Sequence, residues 1–398
     1  MKVDRITELE KKYVMEALEN GFRSRTNYAL VKRLEDAFAK KIGSTYAIAF
    51  VNGTATLHIA LEASGVRIGD EVITTPLTMS ATGLAILHAN AIPVFADVDP
   101  DTYQITAKAI EKKITPRTKA IIIVSLFGLI PEMDGIMALA EKHGLSVIED
   151  DAQCFLGKYK GRTAGTIGDL SSFSFQSSKH ITCGEGGIIT TDNEDLALKV
   201  RRYSGLGYAG INTKKGRITK DDIQSPDYDR HVVLGWNYRM SDVTGGVALA
   251  QTERMEELCN VRVRSALLFE EAISECAWLT KQRTPSHCEN AYWAAAFKLD
   301  TSIVSWNEFR QRYMEFGGDG IYAAWKLTYQ EPAFRDRNFL GREKIIDMFG
   351  GYECHDGLCP VAEELQKSLL LFKTNYWSDA RAKEQAEILQ RTWRSFEE

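Results

Sequence analysis

The chain has 398 residues, 44% hydrophobic and 26% charged, with a formal net charge of −5. These proportions are ordinary for a soluble globular protein and exclude a disordered tail, a collagen and a multispanning membrane protein. At roughly 100–200 residues per domain, the length predicts two domains, or one large α/β domain with an appendage. The mild acidity argues against a nucleic-acid surface, which needs a basic excess. The opening segment MKVDRITELEKKY has no apolar stretch behind its charges, so no secretory signal is expected. The longest nearly apolar run, 120–130, is shorter than the roughly 20 residues of a spanning helix and reads as a buried strand. The cysteines number seven and are scattered, which suits free thiols in a reducing cytoplasm.

In chain order, Val31, Leu34, Phe38 and Ile42 recur at helical spacing in a segment that stops at Gly43. A strand-length apolar run at 46–51 leads through Asn52-Gly53-Thr54 into a helix, ATLHIALEAS. Further strands are predicted at 71–75, 93–98, 120–125 and 146–150, with helical patterns at 81–88, 106–113 and 132–143. Such alternation implies a mainly parallel sheet covered on both faces. Beyond Gly161 the pattern gives strands at 169–175 and 187–191, a Gly-rich turn at 184–187 between them, and a charged helix at 194–203. Residues 205–231 are polar and irregular and read as a long loop of the kind that is often functional. One long helix, 242–269, then leads into a remainder richer in helices and aromatics. The expected division is a large domain of residues 1–244 and a smaller one of 245–398.

Four segments carry chemistry. Asn52-Gly53-Thr54-Ala55 stands at a strand-to-helix turn, where backbone N–H groups make either an ordinary capped terminus or an anion site. Glu149-Asp150-Asp151-Ala152-Gln153 ends an apolar strand, the place where open α/β sheets bind ligands. Acids there are costly to bury without a positive partner such as a protonated ring nitrogen; a helix cap or a metal-carboxylate site are the alternatives. Lys179 sits among small hydroxyl residues in FSFQSSKHITCGEGG, just after a strand. A lysine whose surroundings lower its pKa can act as a Schiff-base nucleophile, although a solitary lysine is usually a solvated surface group. The fourth segment, Gly235-Trp236-Asn237-Tyr238-Arg239-Met240-Ser241-Asp242, precedes the long helix, with Ser241 or Asp242 as its cap.

Two other patterns compete. Residues 205–210 spell G-x-G-x-x-G, but they follow a helix and enter a loop, whereas a dinucleotide fingerprint follows a strand and opens a helix. Cys354, His355 and Cys359, with His287 and Cys288, lack the paired C-x-x-C spacing of a zinc site, so no metal is expected.

The order and spacing of the four segments, from about residue 25 to 251, resemble the DegT/DnrJ/EryC1/StrS family of sugar aminotransferases. FSFQSSKHITCGEGG is the most specific match, and IEDDAQ and GWNYRMSD are similarly close. The resemblance implies pyridoxal 5′-phosphate as cofactor and an α/β, aspartate-aminotransferase-like (fold type I) architecture. That architecture has a large domain with a mainly parallel central sheet and a smaller C-terminal α+β domain. It implies Lys179 as the lysine that joins the cofactor and shuttles its proton, and Asp150 as the partner of the ring nitrogen. Gln153 matches the position touching the ring hydroxyl. Thr54 and Ala55 would offer N–H groups, and Ser174 a hydroxyl, to the phosphate. Asn237 would reach that phosphate from the other subunit of a homodimer with shared active sites. Met79 stands where the family usually stacks an aromatic ring on the cofactor.

By the same resemblance, glutamate or glutamine gives its amine to a keto-sugar, nucleotide-linked or a keto-cyclitol, in cytoplasmic amino-sugar biosynthesis. Candidate substrate contacts are His180, Arg239 and Tyr322, with Arg201, Arg202, Lys214, Lys215 and Arg230 as possible diphosphate ligands. A pyridoxamine-dependent dehydratase is the alternative. In those relatives a histidine replaces the cofactor lysine, which Lys179 argues against.

Overall fold

The computed structural model describes residues 2–21, 30–212, 224 and 226–397. Lys214 and Lys215 lie outside the described residues. The first half contributes strands β1 (Tyr46–Phe50), β2 (Glu71–Thr74), β3 (Ile92–Phe95), β4 (Thr118–Val124) and β5 (Ser146–Asp150). It continues with β6 (Lys158–Tyr159), β7 (Arg162–Thr163), β8 (Leu170–Ser174) and β9 (Gly187–Thr191). Helices α1 (Glu8–Glu19) and α2 (Leu30–Ile42) come before β1. Helices α3 (Gly53–Ala63), α4 (Ala81–His88), α5 (Ala107–Glu111) and α6 (Met133–His143) alternate with the strands, and α7 (Glu194–Ser204) follows β9.

The main sheet has the order β1-β9-β8-β5-β4-β2-β3. Strands β8, β5, β4, β2 and β3 are parallel neighbours, while β9 runs antiparallel to both β8 and β1. Every strand but β9 therefore points the same way, as the alternation in the sequence predicts. Side chains alternate between faces with period two. Ile122, Ile148 and Leu170 pack with Leu57 and Ile59 of α3 and Val200 of α7. Ile121, Ile123 and Val147 face the other way, onto Met133, Ile136 and Ala140 of α6. A sheet buried on both faces needs nearly continuous apolar strands, which is why 120–130 looked like one long run.

The second half begins with α8 (Asp242–Glu253) and α9 (Met255–Ala272). A single helix over 242–269 was expected; the chain instead breaks at Arg254, whose backbone sits at φ −102°, ψ 13°. The Arg254 guanidinium is held by Glu10 Oε1 at 3.1 Å and Glu257 Oε2 at 3.0 Å, so the N-terminal segment fixes the bend. Ser241 caps α8 by accepting from the Thr244 N–H. A four-stranded antiparallel sheet follows, built from Leu279–Lys281, Ala294–Leu299, Tyr322–Ala323 and Leu369–Lys373. Helices α9 and Asp379–Arg394 pack its apolar side around Phe269, Phe297, Phe372 and Leu389.

The two halves are joined by packing and by polar contacts. Leu77, Leu87 and Phe95 form one cluster with Leu327, Tyr329 and Phe334. The Asp97 carboxylate accepts from the Val361 and Ala362 N–H groups at 3.0 and 2.9 Å, at the start of helix Pro360–Ser368. An acid there is favoured by the helix dipole as well as by the hydrogen bonds.

Candidate active site

Two strand ends, one helix start and one loop converge. Asp150 is the last residue of β5, Ser174 the last of β8, and Gly53 the first of α3. Lys179 stands in the loop joining β8 to β9. This is the carboxyl edge of the parallel strands, where such sheets bind ligands.

The α3 start is a tight cradle. Asn52 caps it, its side-chain oxygen accepting from the Ala55 N–H at 2.8 Å. That bond occupies Ala55, one of the two residues expected to donate to an anion. The Gly53 and Thr54 N–H groups, in the first turn, have no intrahelical acceptor. A Cβ on Gly53 would lie 2.8 Å from Ser174 Cβ, and one on Gly187 would lie 2.8 Å from the Asn52 carbonyl. Both glycines let backbone approach closely. Gly53→Ala is therefore expected to push the first turn of α3 off Ser174. Overpacking of this sort costs about 1–3 kcal/mol, and if it falls on the bound state the affinity for cofactor drops about tenfold or more. Fluorescence titration of the cofactor-free protein, with a thermal melt to confirm folding, measures this.

Asp150 is buried, and its carboxylate accepts from Thr82 Oγ1 at 2.8 Å and from the Ala152 N–H at 3.3 Å. Burial raises its pKa, while Thr82, the charge of Lys179 and the Ala152 N–H oppose the rise. Lys179 faces it across the site, and its Nζ lies 5.2 Å from the centre of the Trp293 ring. Burial lowers the Lys179 pKa to about 8, against the pull of Asp150 and with help from Arg262. Its amine is thus available as a base at mildly alkaline pH.

The other two acids of the run are hydrogen-bonded without a cation, although Asp151 Oδ2 is buried with no partner among the described residues. Glu149 accepts from the Ile167 and Gly168 N–H groups at 2.8 and 2.7 Å, from Gly165 N–H at 3.3 Å and from Ser171 Oγ at 2.9 Å. Asp151 accepts from Ser125 Oγ at 2.6 Å. Burial first, and then the neighbouring Glu149, push its pKa well up. Of the three, Asp150 alone has a cation among the groups that set its pKa.

Gln153 is buried, and its Oε1 accepts from the Phe127 N–H at 2.8 Å, which leaves its amide N–H2 as a donor. Met79 is half in solvent in the loop between β2 and α4, 49% exposed. Its sulfur accepts from the Ala81 N–H at 3.0 Å. Asn237 is exposed, and its Oδ1 accepts from Arg239 Nε at 3.0 Å. Tyr322 is 63% exposed on its edge strand.

Two expectations are corrected. His180 is fully buried, its Nε2 is 2.8 Å from the Ala291 carbonyl, and its ring lies against Phe155. It anchors the lysine loop from below and has no surface to offer a substrate. Arg201 is also buried, paired with Glu35 at 2.8 Å, and belongs to the packing of α2 against α7. The five residues considered as metal ligands do not gather at one point. His287 and Cys288 lie with Glu132, their ligand atoms within 4.8 Å of one another, while Cys354 bonds the Tyr329 carbonyl.

Sequence reasoning missed Trp293, whose ring stands beside Lys179. Trp293 stacks on Trp325, ring centres 5.6 Å apart, and Trp325 on Phe127 at 6.2 Å. It also missed Arg262, whose Nη2 donates to the carbonyls of Ser178 and Lys179 at 2.6 and 3.0 Å. Neither carried a signal: one tryptophan opens a strand, and the arginine lies in an amphipathic helix.

Comparison with known proteins follows the geometry. The model of the DegT/DnrJ/EryC1/StrS aminotransferase family matches residues 4–341. A GDP-perosamine synthase of Caulobacter vibrioides is 36% identical over 298 residues, 74% of this chain and 75% of that protein. A putative L-glutamine:3-amino-2,3-dideoxy-scyllo-inosose aminotransferase of Streptoalloteichus tenebrarius is 33% identical over 378 residues, 90% of this chain and 85% of that protein. The crystal structure of an aminotransferase from Psychrobacter cryohalolentis superposes with a TM-score of 0.86 at 28% identity, covering 99% of this chain and 98% of that one. With a family match over most of its length and a fold shared from end to end, this chain belongs to the DegT/DnrJ/EryC1/StrS aminotransferase family.

Proposed function

We propose that the protein is a pyridoxal-phosphate-dependent aminotransferase that carries an amino group from glutamate or glutamine to a nucleotide-linked keto-sugar.

 The observation that carries this reading is a half-buried lysine of lowered pKa near a buried carboxylate at the strand ends, beside a helix start open to a phosphate. The relatives named above act on sugar or inosose substrates, which supports a carbonyl acceptor of that class.

Pyridoxal phosphate, when bound, supplies a ring that accepts the electrons left when a proton leaves the substrate carbon. The chain's residues fit it. Asp150 would hold a proton on the ring nitrogen, and Thr82 fixes the carboxylate for that contact. The Gly53 and Thr54 N–H groups and the Ser174 hydroxyl would hold the phosphate, and the Gln153 amide would donate to the ring oxygen. Lys179 Nζ would take the proton from the substrate carbon and return it on the other side of the reaction. The Met79 thioether would pack against the ring.

The domain division 1–244 and 245–398, the homodimer in which Asn237 reaches the partner's phosphate site, and a cytoplasmic location complete the proposal. Among the described residues no helix is long and apolar enough to cross a membrane. The donor's keto acid leaves before the acceptor enters, so initial rates at several fixed acceptor concentrations are expected to give parallel double-reciprocal lines. A panel of keto-sugars and keto-cyclitols, assayed with each donor, supplies the acceptor; intersecting lines would contradict the scheme.

A further inference from the structure

We propose that Arg262 is a positioning residue for the reactive lysine, its buried guanidinium holding the Lys179 peptide in place and tying it to the second half of the chain. The inference rests on the reading of Lys179 as the cofactor lysine.

Arg262 lies on α9 and is 2% exposed. Its Nη2 donates to the Ser178 and Lys179 carbonyls at 2.6 and 3.0 Å. Its Nη1 donates to the Trp293 carbonyl at 2.9 Å and to Thr374 Oγ1 at 3.2 Å. The Trp293 indole N–H in turn donates to the Ser178 carbonyl at 3.1 Å. One planar fork thus fixes the backbone of the lysine and the backbone of the tryptophan over whose ring the lysine's Nζ lies. The fork geometry is specific to arginine; a lysine there would offer a single point charge.

The acceptors in these bonds are carbonyls and a hydroxyl, all neutral. The guanidinium charge is therefore not cancelled by a carboxylate in its own hydrogen-bond shell, and it bears on Lys179 and on the buried His180 beside it. The charged groups that bear on Lys179 are Asp150 on β5, which favours the ammonium, and Arg262 on α9, which disfavours it. Those that bear on Arg262 are the Cys259 thiol one turn earlier on α9 and Arg5 from the N-terminal segment. Burying a cation without a counter-ion is costly, and here that cost falls beside the one lysine that must lose its proton to work.

The test separates position from charge. Full-length protein freed of cofactor is treated with acetic anhydride across a pH series, and acetylation of Lys179 is followed by mass spectrometry against surface lysines. Wild type is expected to show a midpoint near about 8. In Arg262→Gln the midpoint rises; a rise of about half a unit lowers Lys179 labelling at pH 7 about threefold. Arg262→Lys keeps the charge and the wild-type midpoint but loses the fork, so kcat falls at least about fivefold with KM nearly unchanged. A wild-type midpoint in Arg262→Gln, or wild-type kcat in Arg262→Lys, would overturn the proposal. If Arg262→Gln does not fold by thermal melt, Arg262→Lys decides alone. Borohydride reduction of the wild-type holoprotein keeps the two readings apart. A label away from Lys179 defeats the assignment of the lysine, whereas a label on Lys179 with unaltered Arg262 variants defeats only the role of Arg262.

Discussion

Replacing Lys179 with alanine is expected to lower kcat for amino transfer by about 10²–10⁴-fold, the range for loss of a positioned general acid–base. The protein should still fold. Lys179 is half-buried, and its ammonium form is already disfavoured there, so removing it relieves a desolvation cost. The change also takes away the cation that bears on Asp150, and the Asp150 pKa rises further. Lys179→Arg separates the two effects. It restores a positive charge opposite Asp150, yet a guanidinium does not give up its proton at working pH, so activity stays low, while the permanent charge in a desolvated site keeps the melting temperature at or below that of Lys179→Ala. Steady-state rates and thermal melts of both variants check this. Activity within tenfold of wild type in either one would contradict it.

The second large effect is expected at Asp150. Asparagine has nearly the same shape and can still accept from the Thr82 hydroxyl, so the geometry at the end of β5 survives. What is lost is the negative charge that keeps a proton on the ring nitrogen. Electrostatic stabilisation in a buried site is worth about 10²–10³ in kcat per lost partner, and Asp150→Asn should fall in that range. The cofactor should still bind, because the α3 cradle is untouched. Rate measurements on protein reconstituted with cofactor, with the bound fraction read from its visible absorbance, distinguish lost chemistry from lost binding.

Much of this was legible in the sequence. The apolar runs located β5 and β9, although both continue past their last apolar residue: β5 ends in Glu149 and Asp150, and β9 in Thr190 and Thr191, all of them buried. Asp150 was thereby located at the end of a strand and Lys179 in the loop just after one. Asn52 was legible both as a cap and as an anion site, and the structure shows its side chain capping α3. The break at Arg254 was not legible. The residue pattern across 242–269 is helical throughout, and only long-range bonds to Glu10 and to the N-terminal backbone interrupt it. His180 was open in the sequence between a substrate contact and a residue that orients the loop, and the structure has it in the second role: successive residues in a loop need not share a direction, and its Nε2 reaches Ala291 in the far half of the chain. Arg262 and Trp293 were invisible for a related reason: their partners are distant in sequence, and the local pattern around each is ordinary packing.

The central claim is that Lys179 is the lysine on which the cofactor acts. Reducing the holoprotein with borohydride, digesting it and mapping the modified peptide tests this directly. The account predicts a pyridoxyl group on Lys179, in the peptide that contains FSFQSSKHITCGEGG. A label on any other lysine, or no label with cofactor supplied in excess, would contradict it.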